Sequence, residues 1–215
     1  IVLGSVRVMW CRDQHYYDQA DWRGTWAKDG GVLANQACHH LDMLIWFLGN
    51  VTEVMAMTAT QLANIETEDT AIVNLKFKNG ALGVIQATTA TRPKDLEGSL
   101  CVLGEKGAVE IGGFAMTHLK TWQFEEKEKA NPGFLETHKE NPKDRDYAHE
   151  QFLKTVLEDL NKENSEYFDI EKARHVVEVL HAIYLSAESG QKIQLPLEKG
   201  IESKLGLESK VLENN

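Results

Sequence analysis

The segment GGVLANQACHHLDMLIWFL, residues 30–48, carries the pattern that decides how this chain folds. Apolar residues recur there at steps of three and four, which predicts a helix over residues 32–48 that ends at Gly49-Asn50. The residues expected to face the core are Leu33, Ala37, Leu41, Leu44 and Leu48. A helix with a single apolar stripe buries that stripe, so one side of this helix is expected to pack against the rest of the fold.

The other side of the predicted helix carries Asn35, His39, Asp42 and Trp46 at spacings of four, three and four. Each of these side chains can form hydrogen bonds, and residues 32–48 include no Lys or Glu, so we expect this side to face a protected cleft. His39 is the candidate for acid/base chemistry, because imidazole has a pKa near neutrality. Asp42 is placed to hold its tautomer. A histidine that merely bonds a neighbour would fit the same pattern.

Gly30-Gly31 precedes this helix and places Asn35 in its first turn, where a ligand is expected to approach the backbone closely. Cys38, His39 and His40 are adjacent on a helix and diverge by about 100° per residue, so no metal site is predicted there. We expect His40 to have a structural role.

Strand-like segments surround the helix. Residues 1–10 alternate as a strand does, and Asn79-Gly80 is a hairpin signal between two further strands. The strands predicted after residue 10, including the two joined by this hairpin, cover residues 51–60, 70–78, 81–89, 100–103, 108–111 and 192–195. An antiparallel meander is the expected assembly. Two helices are predicted near the end, one with Phe152, Val156 and Leu160 in steps of four and one over residues 171–189; residues 125–145 are expected to form a long surface loop.

Residues 12–31 show no apolar period and are predicted to form a loop. The candidate binding residues in this loop are Arg12, Tyr16, Tyr17, Trp22, Arg23 and Trp26. Such a density of Tyr, Trp and Arg is typical of binding surfaces. A loop held in place by aromatic packing is the alternative, and the pattern does not separate the two.

Composition excludes several classes of protein. The chain has 215 residues, and 23 Lys and Arg stand against 33 Asp and Glu, which gives a formal net charge of −10. Nucleic acid is therefore not an expected partner, although a few local Arg or Lys can still hold an anionic substrate. No apolar run approaches the roughly 20 residues of a membrane span. The three cysteines have no CxxC spacing, and a cytoplasmic location is expected.

Signatures of other common chemistries are missing from the sequence. It contains no GxSxG, no Walker loop and no GxGxxG between a strand and a helix, so no cofactor site is predicted in this chain. Gly104-Glu105-Lys106-Gly107 is predicted to be a hairpin turn.

Residues 30–42 resemble the signature of the C-terminal domain of the glucose–fructose oxidoreductase/inositol dehydrogenase (Gfo/Idh/MocA) family. That signature runs GG, three residues, Asp, one residue, Gly, one residue, His, two residues, Asp. Asn35 stands where many members have Asp, and Ala37 where many have Gly. Trp22-Arg23, the Gly104–Gly107 hairpin and the final helix before Leu195-Pro196 also resemble the family. The resemblance covers residues 1–196.

Residues 12–17, 21–26, 35–37 and 92–98 are similar to one branch of this family. Members of that branch oxidise the 3-hydroxyl of UDP-N-acetylglucosamine or its uronic acid in the synthesis of bacterial surface polysaccharides. The resemblance implies that this chain is the substrate-binding and oligomerisation domain of such an NAD(P)-dependent dehydrogenase. A dehydrogenase for another sugar or polyol, or a non-catalytic binding or assembly module, are the alternatives.

The resemblance also implies the fold and the partners. The fold class is α+β, an open, mostly antiparallel sheet with helices on one face, over residues 1–196, followed by a polar tail over 197–215. NAD or NADP would be held by an N-terminal Rossmann domain that is absent from this chain, together with a catalytic lysine in a Glu-Lys-Pro motif. We therefore expect residues before Ile1 and expect this chain alone to be inactive. A homodimer or tetramer through the sheet face is implied.

The same resemblance assigns roles to the candidate residues. His39 would share the acid/base work with the missing lysine, and Asn35 would orient the hydroxyl. Arg12 and Arg23 would bind an anionic group of the substrate. Aromatic residues of the loop would pack on sugar or uracil rings, namely Tyr16, Tyr17, Trp22 and Trp26.

Overall fold

The computed structural model describes residues 1–114, 116–126, 145–160, 170–198 and 203–206, and in residues 145–148 it describes the backbone only. The strands are β1 (Leu3–Met9), β2 (Val51–Ala59), β3 (Thr70–Phe77), β4 (Leu82–Thr88), β5 (Glu97–Gly104), β6 (Gly107–Gly112), β7 (His118–Phe124) and β8 (Ile193–Gln194). The helices are α1 (Gln14–Asp18), α2 (Cys38–Leu48), α3 (Arg145–Asp159) and α4 (Ile170–Ser189), and a π-helical turn covers Val32–Gln36.

The eight strands form one sheet in the order β7-β6-β5-β1-β4-β3-β2-β8. Neighbouring strands are antiparallel with one exception, since β1 pairs parallel with β4. The predicted meander is therefore wrong in one respect. β1 does not lie beside the next strand in sequence but inserts between β4 and β5, and this gives the sheet its mixed character.

One face of the sheet builds the core. A buried row crosses five strands in register, formed by Leu100, Val6, Ile85, Val73 and Ala56. Both α2 and α4 pack over this face and contact each other. Successive side chains of a strand point to opposite faces, so the alternation of apolar residues seen in the sequence becomes one buried and one open face. The predicted fold class, an α+β sheet with helices on one face, is confirmed.

The predicted helix over residues 32–48 is two elements. The Val32–Gln36 turn has a π-helical bond from the Ala37 N–H to the Val32 carbonyl (2.8 Å), and the α-helix begins only at Cys38. The apolar stripe is nevertheless buried as expected, because all five core-facing residues are at most 2% exposed. The π-helical turn shifts Asn35 out of the helical phase of the residues that follow.

Other segments differ from prediction in detail. Residues 12–31, predicted as loop throughout, include the short helix α1, whose first turn is capped by the Asp13 side chain. β7 was not predicted, because its alternation is carried by residues such as His118 and Lys120. Residues 127–144 of the predicted surface loop lie outside the described residues.

The predicted helices near the end of the chain are both present, with different packing. α4 buries Val176, Leu180 and Ile183, and Gly190 ends it with φ +66°. Phe152 on α3 and Leu160 directly after it are 57% and 75% exposed, so the apolar side of α3 does not join the core.

Part of the predicted tail contacts the domain. Ser203 is buried and hydrogen-bonded to His181, Leu205 packs against the core, and the Gly206 N–H donates to the Trp26 carbonyl. Residues 203–206 of the predicted tail are therefore packed against the domain.

Burial of the α2 stripe generates a test with matched leucines. Leu44→Ala is expected to lower the free energy of unfolding by about 2–5 kcal/mol, because Leu44 is 0% exposed and its loss leaves a cavity. Leu62→Ala removes the same atoms from a side chain that is 61% exposed, and it should change the free energy of unfolding by less than about 0.5 kcal/mol. Urea denaturation measures both, and equal effects would contradict the packing described.

Candidate active site

The turn before α2 is built over a buried carboxylate. Glu68, in the connection from β2 to β3, is 3% exposed, and its Oε1 accepts hydrogen bonds from the Leu33 N–H and the Tyr184 hydroxyl, each 3.0 Å long. Its backbone carbonyl accepts from the Val32 N–H at 2.9 Å. The N–H groups at the start of the turn, expected from the sequence to be open to a ligand, are thus already satisfied by this chain.

Gly31 is required by the same carboxylate. A Cβ at this position would overlap Oε2 of Glu68 and its carbonyl oxygen. The close approach predicted for the double glycine exists, but the group that approaches belongs to the chain itself.

Burial controls the protonation of this group. Removal from water raises the pKa of Glu68 to about 7, against the opposing donations from Leu33 and Tyr184, while Oε2 is buried without a hydrogen-bond partner. Burial and the neighbouring Glu68 carboxyl also raise the pKa of Tyr184 well above its ordinary value. A protonated Glu68 would carry a hydrogen on one of its oxygens and would cost less to bury than the carboxylate.

Asn35 projects from the π-helical turn toward the loop that precedes it. Its Nδ2 donates to Oδ1 of Asp29, and Oδ2 of Asp29 accepts from the Gly24 N–H at 2.7 Å. Asp29 therefore ties Asn35 to the loop that also carries Trp22 and Arg23. Asn35 itself is half-buried.

His39, Asp42 and Trp46 all lie on the exposed side of α2, with Trp46 69% exposed. Among the described residues, no hydrogen bond joins the His39 imidazole to Asp42 or to any other side chain. The imidazole is thus accessible to a proton donor, but this side of α2 is exposed and is not the protected cleft that the sequence predicts. The role of Asp42 in holding its tautomer stays a prediction.

The adjacent histidine is in a contrasting environment. His40 is 2% exposed and contacts the edge of the Trp10 ring, with 5.9 Å between the ring centres. Burial lowers the pKa of His40 to about 4, and the neighbouring His39 contributes a smaller part of this shift. His40 is therefore neutral at physiological pH and packs in the interior, in line with the structural role expected of it.

Two arginines converge on one tyrosine in the loop after β1. The guanidinium carbons of Arg23 and Arg12 lie 4.0 Å and 5.3 Å from the centre of the Tyr16 ring. Each guanidinium is also anchored, that of Arg23 by the Tyr16 carbonyl at 2.7 Å and that of Arg12 by Asp95 at 3.1 Å. This arrangement places two cations on a single aromatic platform in an otherwise acidic chain.

Trp10 connects this arginine–tyrosine cluster to α2. The guanidinium of Arg12 lies 5.3 Å from the centre of the Trp10 ring, and the same ring contacts His40, next to His39. Trp10 thus packs the loop against the buried side of α2, and His39 lies on the opposite, exposed side.

The other predicted loop residues have different surroundings. Tyr17 is buried and its hydroxyl bonds the Thr89 hydroxyl at 2.9 Å. Trp22 is 43% exposed, and its ring centre lies 5.4 Å from the Arg23 guanidinium. Trp26 packs edge-on against Tyr184 at 5.2 Å, so the structure uses its ring to hold the loop on α4 and does not bring it to the arginine–tyrosine cluster.

A polar groove of about 370 Å³ lies beside this loop, between α1 and residues 64–66. Its walls include the carboxylates of Asp18, Asp21 and Glu66 and a single guanidinium, that of Arg23. Because acidic groups predominate, the groove itself is a poor place for an anionic ligand.

No metal centre or membrane segment occurs in the described part of the chain. Residues 1–114, 116–126, 145–160, 170–198 and 203–206 contain no cluster of three His, Cys, Asp or Glu side chains arranged for a metal ion. Within the same ranges, every helix is too short or too polar to cross a bilayer.

The described residues do not fit a dinucleotide cofactor. In a dinucleotide site, a strand passes through a glycine-rich turn into a helix. Where β1 leads to α1, the connection Trp10-Cys11-Arg12-Asp13 has no glycine, and Gly104 and Gly107 turn β5 into β6, which is another strand.

Comparison with known proteins assigns the fold to a family. A family model described as "Oxidoreductase family, C-terminal alpha/beta domain" (Gfo/Idh/MocA) matches residues 2–195. The chain belongs to this family. The resemblance identified from residues 30–42 is thereby confirmed, as is the interpretation of the chain as the family's C-terminal domain.

Solved structures provide more detailed comparisons. The chain is 40% identical to the WlbA dehydrogenase of Chromobacterium violaceum and 38% identical to that of Bordetella pertussis, with TM-scores of 0.78 and 0.76. Both are complexes with NADH and UDP-GlcNAcA, and in both cases 92% of this chain is covered. The Bacillus subtilis oxidoreductase YrbE is 30% identical over 119 residues. This chain spans 55% of the length of each WlbA protein and 35% of YrbE.

Sequence reasoning missed Glu68, Asp69 and Asp29. Glu68 and Asp69 lie in a polar run that reads as an ordinary loop, yet both are buried. Burial alone would raise the pKa of Asp69, but donations from Leu62, Ala63 and Gln61 outweigh it and hold this pKa below its ordinary value. The partners of Glu68 lie about 35 and 116 residues away, so no local pattern could indicate them.

The pKa of Glu68 leads to a testable dependence of stability on pH. Between pH 4.5 and about 7, the folded state retains a proton at Glu68 that the unfolded state has released, so stability falls as pH rises through this window. The full difference corresponds to about 3 kcal/mol. Urea denaturation at a series of pH values should show wild type losing stability relative to Glu68→Gln. Glu105→Gln, at an exposed hairpin turn, should follow wild type, and parallel curves for wild type and Glu68→Gln would contradict the assignment.

Proposed function

We propose that this chain is the substrate-binding and oligomerisation domain of a dehydrogenase that oxidises the 3-hydroxyl of a UDP-N-acetylglucosamine sugar, with its uronic acid as the favoured substrate. The observation that carries the proposal is the identity of 38–40% over 92% of the chain to two dehydrogenases solved with NADH and UDP-GlcNAcA. Other similar structures are 16–21% identical and support the fold alone.

The geometry of the loop supports an anionic sugar substrate. A nucleotide sugar acid carries phosphate and carboxylate charges together with flat rings. The two guanidinium groups around Tyr16 offer charge and N–H donors, and the exposed ring of Trp22 offers a surface for stacking. Arg23 and Arg12 are our candidates for the anionic groups.

The start of α2 supports the proton transfer. Oxidation of a secondary alcohol needs a group that takes the hydroxyl proton as the carbon loses hydride. His39 is exposed on α2 and has no hydrogen-bond partner among the described residues, so its imidazole is available for this role. Asn35 would orient the hydroxyl without titrating. A bound NAD(P) would accept the hydride.

The reaction requires more than this chain provides. No described connection takes a strand through a glycine-rich turn into a helix, and the chain spans 55% of the length of the WlbA proteins. We propose that the full-length protein supplies an NAD(P) site and a second proton-transfer group, that residues 1–196 act as the substrate domain with 197–215 as a tail, and that the isolated chain is inactive. The cytoplasm, where its cysteines would stay reduced, is the proposed location.

His39 provides the direct test of this function. In the full-length protein supplied with NAD and UDP-GlcNAcA, His39→Ala is expected to lower kcat by about 10²–10⁴-fold, because the proton acceptor is lost. Nicotinamide reduction followed by absorbance measures the rate. The matched control is His118→Gln, on β7, which should retain the wild-type rate.

Two outcomes would contradict the proposal. Undiminished turnover by His39→Ala would remove this residue from catalysis. A wild-type enzyme that oxidised free sugars or polyols but none of the UDP-sugars would support a different member of the family.

The open face of the sheet supports self-association. Exposed apolar side chains lie on the face opposite the helices, where Met57 pairs in register with Ile72 and Leu82 lies farther along; these are 76%, 53% and 55% exposed. An apolar patch of this kind is commonly covered by another protein surface. We propose that a second copy of the chain covers it in a homodimer or a tetramer.

Charge placed on this face tests the proposed association. Met57→Glu combined with Ile72→Glu is expected to weaken association at least tenfold, because carboxylates would have to be buried between the two sheets. Sedimentation velocity across a concentration series measures the effect. Leu62→Glu, at an exposed loop position, should behave as wild type, and a wild type that remained monomeric throughout would contradict the proposal.

A further inference from the structure

Asp29 determines which end of the Asn35 side chain faces outward. An ionised carboxylate can only accept hydrogen bonds, whereas an amide has one end that donates and one that accepts. Because Asn35 faces Oδ1 of Asp29, the nitrogen has to be the end that lies against it. The orientation of this amide is therefore fixed by chemistry.

The opposite end of the amide is open. No described residue donates to Oδ1 of Asn35, and this oxygen is not buried. Asp29 is itself held at two points, since Oδ2 accepts from the Gly24 N–H and the Asp29 N–H donates to the Thr25 carbonyl at 3.1 Å. The acceptor that faces outward is thus supported by a carboxylate anchored in the backbone of the loop.

We propose that Asp29 is a positioning residue that holds Asn35 so that its carbonyl oxygen, and not its amide nitrogen, meets the sugar hydroxyl. This inference rests on the proposed function, because it assigns Asn35 an oxidisable hydroxyl as its partner. The hydroxyl would donate a hydrogen bond to Asn35 Oδ1, so Asn35 would hold the hydroxyl in place, and the proton would stay on the hydroxyl oxygen until the proton acceptor takes it.

The charged groups around this pair come from several elements. Burial raises the pKa of Tyr17 on α1, to which the charge of Asp29 also contributes. The Cys38 thiol at the start of α2 donates to the backbone carbonyl of Asn35, with 3.6 Å between Sγ and the oxygen, and burial raises the pKa of this thiol. Arg23 adjoins Gly24, and Glu68 lies beneath Gly31. The pH tests below therefore compare each variant with wild type, in which these neighbours are the same.

Stability measurements test the pairing without a substrate. In Asn35→Asp, two carboxylates would face each other at neutral pH and repel, whereas at acidic pH one of them would carry a proton and donate to the other. The full-length variant should therefore lose stability relative to wild type as pH rises from about 4 to 8. Combining it with Asp29→Asn, which exchanges the two groups, should remove this dependence, because an amide again donates to a carboxylate.

Kinetics test the positioning role. In Asp29→Asn, a single acceptor oxygen remains for the two donors at Gly24 and Asn35. The side-chain amide of Asn35 can then rotate and exchange the positions of its nitrogen and oxygen. We expect kcat for UDP-GlcNAcA to fall about 10- to 100-fold with KM changed less than about threefold, since the hydroxyl is misaligned while the rest of the substrate still binds. In the exchanged double variant an oxygen again faces the hydroxyl, and kcat should recover to within about fivefold of wild type. Asp21→Asn is the control for loss of a carboxylate from the same loop.

Several outcomes would overturn the inference. Full activity in Asp29→Asn would show that Asn35 needs no positioning. A double variant no more active than Asp29→Asn would show that an oxygen at position 35 is not what the substrate requires. If Asn35→Asp followed the wild-type pH dependence of stability, the two side chains would not be paired. A wild-type enzyme inactive on every UDP-sugar would overturn the proposed function instead, and the stability comparison would still decide whether Asp29 orients Asn35.

Discussion

The buried contact between Glu68 and the turn at Gly31 is the constraint on which the rest of the site depends. It takes up the first N–H groups of the turn and admits only glycine beside it. Because the carboxyl also bonds Tyr184 of α4, the connection between β2 and β3, the turn and the last long helix are fixed to one another at a single point. A polar anchor of this kind specifies geometry in a way that the surrounding apolar packing does not.

The candidate side chains lie in two directions from this anchor. Asn35 turns toward the loop, where Asp29 receives it, and His39 emerges one turn later on the open side of α2. Trp10 contacts His40 on the buried side of α2 and also the guanidinium of Arg12, which lies beside Tyr16. Rigid elements thus carry the groups proposed for chemistry, and a loop held by ring and guanidinium contacts carries those proposed for recognition, which matches the division of labour between scaffold and loops in many enzymes.

The parts of this structure that depend on local pattern were predictable from the sequence. Alternation found most strands, and the spacing of three and four found the buried side of α2, because both periods follow directly from backbone geometry. The split at Cys38, the parallel pairing of β1 and the burial of Glu68 were not predictable, since each depends on partners distant in the chain. Of the candidate site, Arg12, Tyr16 and Arg23 lie together in the loop. His39 lies on an exposed side of α2 where the sequence predicts a protected cleft, and Trp26 supports the fold.

The insertion of β1 between β4 and β5 has a consequence for how the sheet holds together. On one side of β1 lie β4, β3, β2 and β8, and on the other lie β5, β6 and β7. Among the strands that the structure describes, only β1 pairs with a strand of each group. The seven residues of β1 therefore join two groups of strands that all begin at Val51 or later. Without β1, the sheet would divide into two smaller sheets with unpaired edge strands, so the stability of the whole domain depends on this one strand.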